Sequence, residues 1–166
     1  MKGRTWLAAR LVALSAAAFL AVAHGPALAQ EAGWSGPRSL GQRLYVPVYS
    51  SIHAMEDRQL DLAVTVSIRN TDATRPFRVE AVRYFGNEGQ QRGERFAEPQ
   101  VLGPMATVEV VIPQSKLSGD TGANLIVEWR SDAPVTPPVV ETVMVGIRGT
   151  QGLAFSSRAV VLDEWR

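Results

Sequence analysis

The chain has 166 residues, 17 Lys and Arg against 16 Asp and Glu, and no cysteine. Without cysteine there are no disulfides, no zinc–thiolate site, no thiol nucleophile and no lipid-anchoring cysteine. Charge so close to balance excludes the clustered Lys and Arg with which nucleic-acid binders displace counterions.

Residues 1–29 read as a secretory signal peptide. Lys2, Arg4 and Arg10 precede an apolar run from Leu11 to Ala23. Gly25 and Pro26 break it, and Ala27-Leu28-Ala29 offers a small-x-small cleavage pattern before Gln30. The run is too short for an ordinary transmembrane helix. The expected product is exported, periplasmic or secreted, with no membrane span left after cleavage. It retains 14 basic and 16 acidic residues, a net charge of −2. Residues 30–40, rich in Gly, Ser and Pro, are expected to form a flexible leader. Residues 41–166 are expected to form a single domain, large enough for one core held without disulfides.

The remaining chain reads as strands. Leu44 to Tyr49 has strand residues, but Pro47 cannot donate to a ladder, which predicts an edge strand or a bulge. Leu60 to Arg69 alternates cleanly, with Leu60, Leu62, Val64, Val66 and Ile68 on one face. Asn70-Thr71-Asp72 ends it with turn-capping side chains. Phe77 to Phe85 changes face between Ala81 and Val82, which predicts a bulge. Gly86-Asn87-Glu88-Gly89 reads as a hairpin turn, followed by a polar strand from Gln91. Thr107 to Ile112 alternates with Val108, Val110 and Ile112 inward.

After the Ser118–Gly122 loop, Asn124 to Arg130 places Leu125, Val127 and Trp129 on one face, with Trp129 filling the core. Pro134, Pro137 and Pro138 punctuate a turn. Val139 to Ile147 and Leu153 to Leu162 are the last strands, joined by Gly149-Thr150-Gln151-Gly152. No stretch shows a helical period. Roughly seven or eight strands at short intervals predict an all-β, antiparallel two-sheet β-sandwich, immunoglobulin-like in the broad sense. A small β-barrel is the alternative.

Several of these segments resemble the blocks of a bacterial domain-of-unknown-function family, number 3124. They are Tyr45-Val46-Pro47-Val48-Tyr49-Ser50, Ser67-Ile68-Arg69-Asn70-Thr71-Asp72, Gly122-Ala123-Asn124-Leu125-Ile126-Val127-Glu128-Trp129, and Glu141-Thr142-Val143-Met144-Val145-Gly146. The segment from Gly152 to Arg158 is similar too. The likeness runs from about Leu40 to Leu162 and implies an exported bacterial protein. It implies no activity.

Chemistry-bearing residues are few. His53 is the one histidine beyond the signal and lies in a polar connection; no nucleophile-elbow sequence accompanies it. If Asn124–Arg130 and Val139–Ile147 form a symmetric hairpin, Glu128 pairs with Glu141. Such carboxylates repel unless an arginine or cation intervenes, and can do acid/base work if their environments separate their pKa values. Glu141 interrupts the parity of Val139, Val143, Val145 and Ile147, so it is expected to be partly buried. Asp120 in its Gly-rich loop, with Asn124, Glu128 and Glu141, completes the candidate binding set.

Tyr45, Tyr49, Tyr84 and Phe85 are expected to pack between strands, or else to line a groove. Trp165 is expected to cover a sheet edge or meet a partner. No nucleotide loop or metal motif is present, so no cofactor is implied. The leading expectation is a non-enzymatic envelope module that binds another protein or a small ligand through an edge strand or aromatic groove. The alternatives are a carboxylate-dependent hydrolase using Glu128 and Glu141, and a calcium-stabilised module.

Overall fold

The computed structural model describes residues 36–56, 58–112 and 121–166. The expected signal peptide lies outside the described residues, as do the leader up to residue 35 and Asp120. The described residues form twelve strands and no helix. They are β1 (Ser39–Pro47), β2 (Ser51–Met55), β3 (Arg58–Asp61), β4 (Ala63–Arg69), β5 (Phe77–Phe85), β6 (Gln91–Glu94), β7 (Gln100–Leu102), β8 (Thr107–Ile112), β9 (Asn124–Val135), β10 (Val139–Arg148), β11 (Gln151–Arg158) and β12 (Val160–Trp165).

Six strands form one antiparallel sheet in the order β12-β1-β9-β5-β6, with β7 also paired to β5. Four form a second, β11-β10-β4-β8, also antiparallel. β2 and β3 make a separate hairpin. Both large sheets are open, so the fold is the sandwich and not the barrel.

Period-two alternation builds the core. Leu44, Val46, Val79, Val82, Leu125, Val127 and Trp129 from the larger sheet join Val64, Val66, Ile68, Val110, Ile112, Val140 and Met144 from the smaller in a single cluster. Removing this apolar surface from water is the main stabilising term. Trp129 is fully buried. Its ring lies 5.2 Å from that of Phe77, and its indole N–H donates to Gln42 Oε1 at 3.3 Å. The expected bulge in β5 is present as a register shift between Val79 and Ala81, and it lets Val79, Ala81, Val82 and Tyr84 all face inward. Gly89 takes a φ of 77° in the expected hairpin turn.

The strand count exceeds the expected seven or eight, for two reasons. Long apolar runs bend: Leu60–Arg69 divides at Leu62 into β3 and β4, and Leu153–Leu162 divides at Ala159 into β11 and β12, which belong to different sheets. In addition, β2 forms in the stretch around His53 expected to be a polar connection, and β7 is only three residues long, while β6 is the expected polar strand.

β1 also differs from expectation. It begins at Ser39, inside the segment expected to be a flexible leader, and Ser39 is buried. It is not an edge strand, because it lies between β12 and β9. Pro47 is tolerated because pairing with β12 stops at Tyr45, while Pro47 faces Asn124 of β9 alone. The edge is β12. Trp165 at its end lies under the guanidinium of Arg130, 3.2 Å from the ring centroid, beside Gly41. A Cβ on Gly41 would come within 2.5 Å of the Trp129 carbonyl oxygen, so only glycine lets these three residues close up.

Candidate functional site

β9 and β10 do not form a hairpin. β9 pairs with β1 and β5, and β10 pairs with β4 and β11, so the chain changes sheets between Val135 and Val139. Glu128 therefore sits opposite Arg43 and Ala81, and Glu141 opposite Ser67 and Arg158. Each glutamate alternates with buried neighbours, so each lies on the outer face of its own sheet, with the core between them. Sheets in a sandwich lie about 10 Å apart. The acid pair expected from the sequence does not exist.

Each acid has an arginine instead. Arg83 donates to both oxygens of Glu128 at 3.2 and 2.9 Å, and Arg158 donates to Glu141 at 2.9 Å. Asn124 lies at the start of β9 between Pro47 and Phe85, at the far end of the strand from the sheet change. Asp120 lies outside the described residues. Of the expected set, then, the structure brings none together, and among the described residues no three His, Asp or Glu side chains converge as metal ligands. His53 is exposed on β2, opposite Gln59. Of the four aromatic side chains, Tyr45 on β1 and Phe85 on β5 are half-buried. Tyr84 is buried in the core, while Tyr49 is partly exposed against Phe155 with ring centroids 5.8 Å apart.

Because Arg158 is largely exposed, its bond to Glu141 is a surface ion pair, worth about 1 kcal/mol or less. Glu141→Gln is accordingly expected to shift the urea midpoint only slightly. A loss of several kcal/mol would show that the carboxylate supports something beyond this bond.

The sheet change is held by a polar cluster where the sequence shows only turn-capping residues and prolines. Asp72 is 2% exposed. Its Oδ1 accepts from the N–H groups of Thr74 and Arg75, both at 3.0 Å, and from the Thr74 hydroxyl at 3.1 Å. Its Oδ2 accepts from Thr136 N–H at 3.0 Å and from Arg38 at 2.8 Å. Burial alone would raise its pKa. The donors on Thr136, Thr74 and Arg75 outweigh that and hold the carboxyl far below the usual carboxylate range. Asn70 adds three donations, to the carbonyls of Arg75, Leu102 and Gly103. Thr71 reaches the Pro137 carbonyl at 3.0 Å. These side chains are consumed by the fold, which makes the cluster a structural pin and not a ligand site.

A concave feature of the surface lies elsewhere. β10 pairs with β4 only as far as Val145, so its last residues and the start of β11 extend as a free hairpin. The β2–β3 hairpin stands opposite. Between them is an open cleft of about 640 Å³, lined by Arg58 and Leu60 from β3, Gly146 and Arg148 from β10, and Gln151, Gly152 and Leu153 from β11. Gly146 is inward-facing and buried; a Cβ there would approach Leu62 to 2.7 Å and Leu60 to 2.9 Å. The missing side chain thus lets β3 lean against β10 and sets the cleft wall. Among the described residues, neither Arg58 nor Arg148 has a carboxylate partner. Arg38, Arg43, Arg78, Arg83, Arg158 and Arg166 all do. The signal missed in the sequence was the arginine at each hairpin, Arg58 before Leu60 and Arg148 before the Gly149 turn.

A family model described as protein of unknown function (DUF3124) matches residues 41–162. Among solved structures, the chain is similar to one titled "Crystal Structure of Thermotoga maritima 1070". The identity is 11% and the TM-score 0.45, over 80% of this chain and 97% of that one. No curated protein matches.

Proposed function

The chain belongs to the DUF3124 protein family, and from that premise we propose that it is an exported, non-enzymatic module that binds a small ligand in the cleft between its β2–β3 and β10–β11 hairpins. The observation that carries this reading is the cleft itself. Its volume of about 640 Å³ is that of a small-molecule site. Its lining combines apolar side chains with a few convergent polar ones, the usual make-up of such sites. The signal-like residues 1–29 support export. The non-enzymatic reading rests on the separation of Glu128 from Glu141, which leaves the expected acid/base pair unassembled.

Native mass spectrometry of the protein in the form its host produces tests this reading. The chain is expected to begin at Gln30 and to carry a non-covalent adduct that denaturation releases. Leu153→Trp, which fills the cleft from an exposed position, should abolish the adduct and leave the fold intact. A chain retaining Met1, or an adduct indifferent to Leu153→Trp, would refute export or the cleft respectively.

A further inference from the structure

We infer that the ligand of this cleft is a small amphipathic anion, its carboxylate or phosphate group held between Arg58 and Arg148 and its apolar body laid against Leu60 and Leu153. This rests on the reading of the cleft as the binding site and adds the chemical class of what it takes.

The cleft is positively charged. The chain beyond residue 29 carries net −2, yet this cleft holds two guanidinium groups and, among its lining residues, no acid. Arg43 and Arg83 on the larger sheet are neutralised by Asp163 and Glu128 at 2.8 and 2.9 Å, whereas Arg130 is taken up by the Trp165 ring. The two at the cleft share one concavity without an acid in its lining, so their charges converge on whatever occupies it. The planar fork of arginine matches the two oxygens of a carboxylate or phosphate.

The cleft also has an apolar lining. Leu153 is 41% exposed and Leu60 is only partly covered, so both present hydrocarbon to the cleft. A fully polar anion would leave that surface wet, and a neutral hydrocarbon would leave two cations without a counter-charge. A molecule with one charged end and one apolar end satisfies both walls. Gln151 adds an amide that can donate or accept at the rim. Gly146 and Gly152 bring no side chains into the space between.

Arg58 and Leu60 come from one hairpin, and Arg148 and Leu153 from the other. An occupant touching all four would bridge the two hairpins. Two cations and no basic stripe exclude a polyanion such as RNA, which needs a run of phosphate contacts.

Calorimetric titration of the protein with octanoate, octyl phosphate, octanol and inorganic phosphate tests the class. Octanoate or octyl phosphate should bind, and the stronger of the two distinguishes a carboxylate from a phosphate head group. Octanol and inorganic phosphate should each bind at least tenfold more weakly. Arg58→Gln and Arg148→Gln should each weaken the amphiphile at least tenfold with unfolding midpoints unchanged, since both side chains are exposed. Octanol binding as well as octanoate would overturn the anion while leaving the cleft as a binding site. Binding of no probe, or binding insensitive to both arginine substitutions, would overturn the inference outright. Loss of the native adduct's dependence on Leu153→Trp would instead remove the underlying site.

Discussion

Trp129→Ala is expected to destabilise the fold by about 3–5 kcal/mol, the cost of emptying a large, fully enclosed aromatic site. The indole packs on Phe77 at 5.2 Å, and its N–H donates to Gln42 Oε1. Truncation therefore opens a cavity and removes the donor facing a buried amide. β9 lies between β1 and β5 at the centre of the larger sheet, which leaves little freedom for neighbours to collapse into the gap. Urea unfolding followed by circular dichroism measures the effect. A loss under about 1 kcal/mol would mean that the site relaxes or admits water. Trp129→Phe should recover part of the loss by restoring an aromatic contact with Phe77.

Asp72→Ala should cost a similar amount, about 3–5 kcal/mol, through a different mechanism. The substitution leaves the N–H groups of Thr74, Arg75 and Thr136 without their acceptor, and Arg38 without its partner. It also frees the segment in which the chain leaves one sheet for the other. Asp72→Asn isolates the charge. The folded carboxyl titrates below its unfolded value of about 4, so the unfolded chain takes up the proton first as pH falls. The stabilisation from Asp72 is complete above that value and is lost as the pH drops toward the folded pKa. The stability gap between the natural protein and Asp72→Asn should therefore be widest at neutral pH and shrink below about pH 4. A gap that stays constant from pH 7 to pH 3 would show that the charge contributes nothing.

Much of the architecture was legible because one rule, alternation across a half-buried strand, writes itself into the residues. Leu62, Val64, Val66 and Ile68 face the core as their spacing predicts, and so do Val110, Ile112, Leu125, Val127 and Trp129. The face change in β5 and the Gly86–Gly89 turn were equally visible, because both need a local backbone feature with its own residue types.

β10 shows where the same rule misleads. Val139, Val143, Val145 and Ile147 look like the inward set, yet Ile147 is 70% exposed and Val143 44%. The buried set is Val140, Thr142, Met144 and Gly146. Thr142 tolerates burial because its hydroxyl reaches the carbonyl oxygens of Pro47 and Ser157. Gly146 is needed inside because Leu60 and Leu62 occupy the space a side chain would take. Hydropathy alone ranks a threonine and a glycine as the outward pair. The partners that reverse the ranking come from about 95 and 85 residues earlier in the chain, at distances no local pattern encodes. Reversing that parity is also what places Glu141 on an outer face.

An all-β chain with a tryptophan-centred core can be read from residue order, because side-chain periodicity is local and survives without knowledge of partners. Which sheet each strand joins is visible only in three dimensions, and with it that Glu128 and Glu141 lie apart while Arg58 and Arg148 share a cleft. Strand pairing depends on contacts between residues distant in the chain, here on the Asp72 cluster that turns β9 away from β10 and on the gap at Gly146 that admits Leu60.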